Sequence, residues 1–181
     1  EIFQTHLLQE LNERRKSEFT EPLNYPFFKN ASVDRLNPRF IRYFFARVDE
    51  LMAQGMKQQM RHSVSALVTS RGAKTGFHVE HILARNEMNY GLFDGDKDRF
   101  EQERNRLGGV LLLKGRDNQS SGNESYQEKL ATYANSLYWN ETLREDTYQS
   151  KLDFKDFLEK EGLNIKPLET FGPDDVEQRQ K

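Results

Sequence analysis

The chain of 181 residues contains no cysteine. Disulfides and thiolate-held metals are therefore excluded, which fits a reducing compartment. No apolar run approaches the roughly 18 residues that a membrane span needs, and no signal peptide is visible. Internal repeats and low-complexity tracts are also missing. Charge of one sign is not in excess, since 27 Lys/Arg stand against 29 Asp/Glu for a net charge of -2. A polyanion meets no overall attraction. Apolar residues make up only 35%, yet 12% of the chain is aromatic, with thirteen Phe and seven Tyr. That aromatic content argues for a packed globule rather than disorder. The length suits one domain with a sizeable core, or a core plus appended helices. The chain opens at Glu1 rather than Met and stops inside a charged segment, "DDVEQRQK", so it reads as a piece of a longer protein.

Charge is unevenly spread. Residues 1–75 hold 12 Lys/Arg against 8 Asp/Glu, residues 76–116 hold 7 against 7, and residues 117–181 hold 8 against 14. A polyanion would have to meet the first two parts and avoid the tail. "EIFQTHLLQELNERRKS" spaces Phe3, Leu7, Leu8 and Leu11 as a helix, and a proline-containing loop follows. "RFIRYFFARVDELMAQG" places Phe40, Ile41, Phe44, Phe45, Val48, Leu51 and Met52 on one broad stripe, predicting a core-packed helix that stops at or soon after Gly55. "FHVEHIL" (Phe77 to Leu83) reads as a short strand, and residues 85–101 mainly as a connection. "GGVLLLKG" (Gly108 to Gly115) reads as a buried strand. "RDNQSSG" reads as a turn, with Ser121 and Glu124 as a capping box for a helix along Tyr126, Leu130, Tyr133, Ala134 and Leu137. A short helix is expected over 152–158 and a last one from Asp174.

The polar residues gather at three places: Glu80 and His81 on the first strand, "RNRLGG" before the second, and "RDNQSSGN" before the helix. A strand–strand–helix unit can bring these to one point. Phosphodiester hydrolysis needs a base for water and a cation against the phosphate charge. A neutral imidazole such as His81 suits the first task. Carboxylate and amide oxygens suit a hard divalent ion, and Asn118 or Asn123 would sit at the helix start. Asn105 would pin the connection. Glu80 and His81 share one site only if the strand bends between them, because neighbours in a strand face opposite ways. A bend is expected there.

"VEHILARN" followed by "RNRLGGVLLLKGRDNQSSGNESYQEKL" resembles the C-terminal nuclease domain of GmrSD-type, modification-dependent (type IV) restriction enzymes, of the HNH or His-Me finger (ββα-metal) class. The family pattern is roughly "EHILPQN", then "RNxLGNLTLL", then "LNSxxSNxxFxxK", and it covers about residues 77–130. The resemblance implies that His81 is the general base, Glu80 the acidic metal ligand and Asn105 the loop brace. It matches Asn118 to the second metal-site asparagine, and Asn123 and Lys129 to the downstream "N…K". It implies nicking or cleavage of DNA, modified or not, with Mg²⁺, Mn²⁺ or another divalent cation, in the bacterial cytoplasm and in antiviral defence. An N-terminal sensor or NTPase region of the same protein would be its partner. Ala84 replaces the family proline and Gly109 the asparagine of "LGN". These two departures motivate the alternative, an inactive HNH-fold module that binds DNA or a partner protein.

The expected fold is α+β and mostly helical, a small ββα core with a two-stranded antiparallel hairpin flanked by helices. Residues 1–75 would form a helical part packing on the core, 76–140 the core, and 141–181 a helical extension. Arg104, Arg106, Lys114, Arg116 and Lys129 are candidate phosphate contacts; the first four read equally well as solvated charges. His78 is expected to face solvent or support the site. Asp94, Asp96 and Asp98 alternate like a calcium loop, but the glycine spacing and closing glutamate are wrong, so a solvated loop is expected.

Overall fold

A computed structural model describes residues 30–70, 72–121 and 124–181. The helix expected over the first seventeen residues lies outside the described residues. The first described helix is α1, Pro38–Gly55, capped where the Asn37 side chain accepts a hydrogen bond from the Arg39 backbone N–H at 2.8 Å. Pro38 suits the first turn, where its missing N–H is not needed. Ile41, Phe45, Met52 and the small Ala46 and Ala53 form its buried face. The expected stripe is wider than this face, since Phe40 and Leu51 are 49% and 41% exposed. The chain leaves α1 through Lys57 at φ 52°. A Cβ on Gly55 would stand 2.3 Å from the Phe157 ring, so only glycine lets that ring close on the helix. A short helix, α2 (Val64–Thr69), follows and packs against α1.

Strands β1 (Phe77–His81) and β2 (Val110–Lys114) pair antiparallel, from Phe77 opposite Lys114 to His81 opposite Val110. Val110 to Leu113 are fully buried, as a continuous apolar run without alternation requires. The buried Asn140 side chain donates to the Leu112 carbonyl at 2.8 Å. The link between the strands is not mainly a connection: it carries α3 (Glu87–Gly91), α4 (Lys97–Arg104) and a 3₁₀ turn at Leu107–Gly109. Both helices are polar enough to hide from periodicity, and their caps define them. Asn86 accepts from the Asn89 N–H, and Asp96 from the Asp98 and Arg99 N–H groups. Phe100 is the buried aromatic of α4, edge-on to Tyr90 and Phe93. Asp96 is thus a cap rather than part of a loop.

Helix α5 (Gly115–Ser121) starts directly after β2, where a turn was expected. Its first residues are tied back, Gly115 N–H to the Gly76 carbonyl and Arg116 N–H to that of Lys74. Those long-range bonds set the helix, and no local pattern announces it. Helix α6 (Tyr126–Tyr133) begins in a capping box four residues later than expected, Ser125 with Glu128. It ends at Tyr133, where Ala134 turns extended at ψ 136° and Asn135 follows at φ 56°, so Leu137 lies beyond it. Then come α7 (Tyr138–Glu141), α8 (Glu145–Ser150), α9 (Leu152–Lys160) and α10 (Pro173–Gln180). Helix α10 packs on the 3₁₀ turn, where Gln180 accepts from the Gly108 N–H at 2.7 Å. The architecture is α+β and mostly helical, with one antiparallel hairpin among the described residues. Its buried apolar residues join in one core from Ala31 to Val176. Among the described residues no helix is long and apolar enough to cross a membrane.

Candidate active site

His81 closes β1 and Asn105 caps the end of α4, and the ladder brings these ends together. The His81 Nε2 lies 2.8 Å from the Asn105 Oδ1. Asn105 is itself fixed, since its backbone carbonyl accepts from the Val33 N–H at 2.8 Å. An amide oxygen only accepts, so Nε2 carries the hydrogen and Nδ1 keeps the lone pair. Burial pushes the His81 imidazole down to about 4, the nearby Arg104 charge adding to this and the Asn105 contact opposing it. The ring is neutral at pH 7.

A cationic network flanks the ring. Arg85 donates to both oxygens of Glu101, at 2.6 and 2.8 Å, and Arg104 reaches the same carboxylate at 3.4 Å. Arg104 is buried, and its Nε donates to the Leu83 carbonyl. Arg85 was not singled out from the sequence, because an exposed arginine next to a polar segment carries no signal of its own. His78 is partly buried, with Nε2 3.3 Å from the Gly72 carbonyl, a supporting contact.

The expected bend between Glu80 and His81 is absent. Pairing continues through His81, and the Ile82 N–H still bonds the Gly109 carbonyl at 3.0 Å. The unbroken ladder forces the two side chains to opposite faces. Glu80, 7% exposed, turns to α6 and forms an ion pair with Lys129, 1% exposed. The same ammonium donates to the His81 carbonyl at 2.7 Å. Lys129 is therefore internal and placed on Glu80, away from any phosphate. The signal was in the sequence: Tyr126, Lys129 and Tyr133 are the buried positions of α6, so a lysine stands on an apolar helix face.

Helix α5 packs on both strands, and its Asn118 holds a buried Oδ1 without a hydrogen-bond partner. Asn123 lies outside the described residues. Arg106 is spent on Glu103 and Glu177, at 2.8 and 2.5 Å, while Lys114 and Arg116 are exposed. Of the candidate phosphate contacts, only these last two face solvent. Among the described residues, no three His, Asp or Glu side chains gather as a metal site. Asn118 offers one free oxygen to a cation, but Glu80, held by an ammonium, does not complete a site. An apolar groove of about 410 Å³ between Phe44, Val48, Trp139 and Arg179 is lined by none of His81, Glu80, Asn105 or Asn118.

Over residues 25–181 the chain matches the family described as GmrSD restriction endonucleases, C-terminal domain. It belongs to that family. No curated protein and no solved structure matches. Membership in this GmrSD C-terminal family supports a restriction-endonuclease domain, with DNA as the substrate class. The two departures from the family pattern have structural settings here. The Ala84 carbonyl accepts from the buried Asn89 side chain at 2.8 Å, and Arg104 holds the neighbouring Leu83 carbonyl, so the turn after His81 is braced without proline. A Cβ on Gly109 would stand 2.7 Å from the Arg104 backbone oxygen, so an asparagine has no room there.

Proposed function

We propose that this domain hydrolyses phosphodiester bonds of DNA, modified or not, as an HNH-type endonuclease with His81 as the general base. The observation that carries the reading is the His81–Asn105 contact, which leaves Nδ1 of a neutral imidazole to take a proton. Water attacks phosphorus in line with the leaving oxygen. The new O–P bond forms as the old P–O bond breaks, the water proton passes to Nδ1, and the leaving oxygen takes a proton from solvent. Asn105 keeps the ring in the productive tautomer. A divalent cation would supply charge stabilisation at the phosphate. The described residues do not fit a preformed site for it, so no step is assigned to Glu80 or Asn118 as ligands. Recognition of a modification is left to an N-terminal region of the protein.

The Glu80–Lys129 pair favours a second reading, an HNH-fold module that binds DNA or a protein without cutting. Plasmid nicking over a Mg²⁺ and Mn²⁺ titration separates the two. The nuclease reading expects relaxed or linear product, its loss in EDTA, and a fall on the order of 10²–10⁴-fold for His81→Ala in a folded protein. Binding of plasmid with no cleavage at any metal concentration supports the second reading.

A further inference from the structure

The Glu80–Lys129 pair joins residues 49 positions apart and is shut away from solvent. Burying two charges costs desolvation that their attraction only partly returns, so such a pair is weak evidence for stability alone. What it does provide is geometry. The ammonium spans the Glu80 carboxylate and the His81 backbone carbonyl, fixing the last residue of β1 from the face opposite its ring.

A divalent ion on Glu80 would have to evict that ammonium. Lys129 is 1% exposed, so its charge would be left in the core without its carboxylate. Uncovering a buried charge is strongly unfavourable, and Mg²⁺ sheds its own water reluctantly. The direction of the strand adds a second obstacle. With pairing unbroken through His81, an ion on Glu80 sits on the other face from the imidazole and the water it would activate.

We propose that Lys129 is the resident cation of Glu80, and that Glu80 holds Lys129 and through it the His81 carbonyl instead of ligating a divalent ion. Both are then positioning residues for His81. The proposal rests on the nuclease reading only for the reaction that the positioning serves. The disagreement with the family pattern is confined to Glu80, and the cation, when bound, takes its ligands elsewhere.

The test is Mn²⁺ binding to the full chain without DNA, followed by the EPR signal of free Mn²⁺, for the parent and Glu80→Gln. An amide oxygen at position 80 still accepts from Lys129 but is a poor substitute for an anionic ligand. Mn²⁺ binding within threefold of the parent's, including none in either, supports the proposal. Weakening by tenfold or more overturns it and makes Glu80 a ligand. Circular dichroism checks the fold; if the single change unfolds the chain, Glu80→Gln with Lys129→Met makes the same comparison with a neutral pair. Plasmid kinetics test the positioning role. Glu80→Ala is expected to lower kcat roughly 10- to 100-fold at unchanged KM and unchanged Mn²⁺ half-saturation, with Glu80→Gln recovering most of the loss. A Glu80→Ala protein as fast as the parent removes the positioning role. A parent that never nicks counts against the nuclease reading alone, and the Mn²⁺ comparison still decides the role of Glu80.

Discussion

The His81 ring and the Asn105 side chain, 24 residues apart, meet with Nε2 at 2.8 Å from Oδ1. Each is held from behind, His81 by Lys129 on its carbonyl and Asn105 by Val33 on its own. The pair is thus an assembled unit, and its chemistry follows from which nitrogen is left free.

Removing the acceptor should free the tautomer. Asn105→Ala is expected to lower kcat about 10- to 100-fold with little change in KM, since the ring loses orientation rather than substrate contacts. Asn105→Asp places a carboxylate against Nε2 and favours the charged ring. The acid limb of the kcat/KM profile should then move upward by a unit or more. A parent whose ¹⁵N spectrum puts the hydrogen on Nδ1 would contradict the assignment.

Two buried groups pull the pH dependence of stability in opposite directions. His81 falls from 6.5 to about 4 on folding, mainly by burial. The unfolded chain binds the extra proton between those values, so this contribution is complete above pH 6.5 and is lost as pH falls through about 4. Asp49, buried at the Trp139 N–H, rises from 3.8 to about 6, also by burial. Here the folded chain binds the proton, so its contribution is complete below 3.8 and is lost as pH rises through about 6. Each shift corresponds to about 3 kcal/mol, and between pH 4 and 6 they nearly cancel. Urea unfolding at pH 7 and 4.5 should show Asp49→Asn losing on the order of 1–3 kcal/mol more than the parent on acidification. His81→Asn should lose less than the parent. Equal slopes in all three proteins would contradict the opposition.

Much of this arrangement was legible in the sequence, for identifiable reasons. Helix α1 and strand β2 announced themselves because burial imposes an apolar pattern on both. His81 and Asn105 stood out because two short motifs in order carried them. Helices α3, α4 and α5 did not, since capping side chains and long-range backbone bonds make them without periodicity. The expected bend at Glu80 failed for one reason: it assumed that Glu80 and His81 serve a single ion. Lys129 supplies another partner for the carboxylate, and the strand has no need to bend.

Gly109 shows the same dependence on local geometry. Its Cβ position is 2.7 Å from the Arg104 oxygen and 3.2 Å from the Arg104 Cα, both backbone atoms that cannot swing away. Gly109→Ala should cost roughly 1–3 kcal/mol in urea unfolding. Because Asn105 follows Arg104 directly, the displaced backbone should also slow nicking. Unchanged stability would mean that the α4 end yields freely.

Lys114 and Arg116 remain exposed at the end of the hairpin remote from His81, whereas Arg104, Arg106 and Lys129 are each paired with a carboxylate of the chain. A phosphate contact releases counterions, so each one steepens the fall of affinity with salt by about one unit in the log–log slope. Lys114→Gln and Arg116→Gln should each flatten that slope by about one for duplex DNA, with melting temperature unchanged. Arg106→Gln should leave the slope alone and lower the melting temperature instead, through loss of the Glu103 and Glu177 contacts. If the two exposed residues leave the slope untouched, DNA meets the domain on another face, and Arg85 beside His81 is the next residue to change.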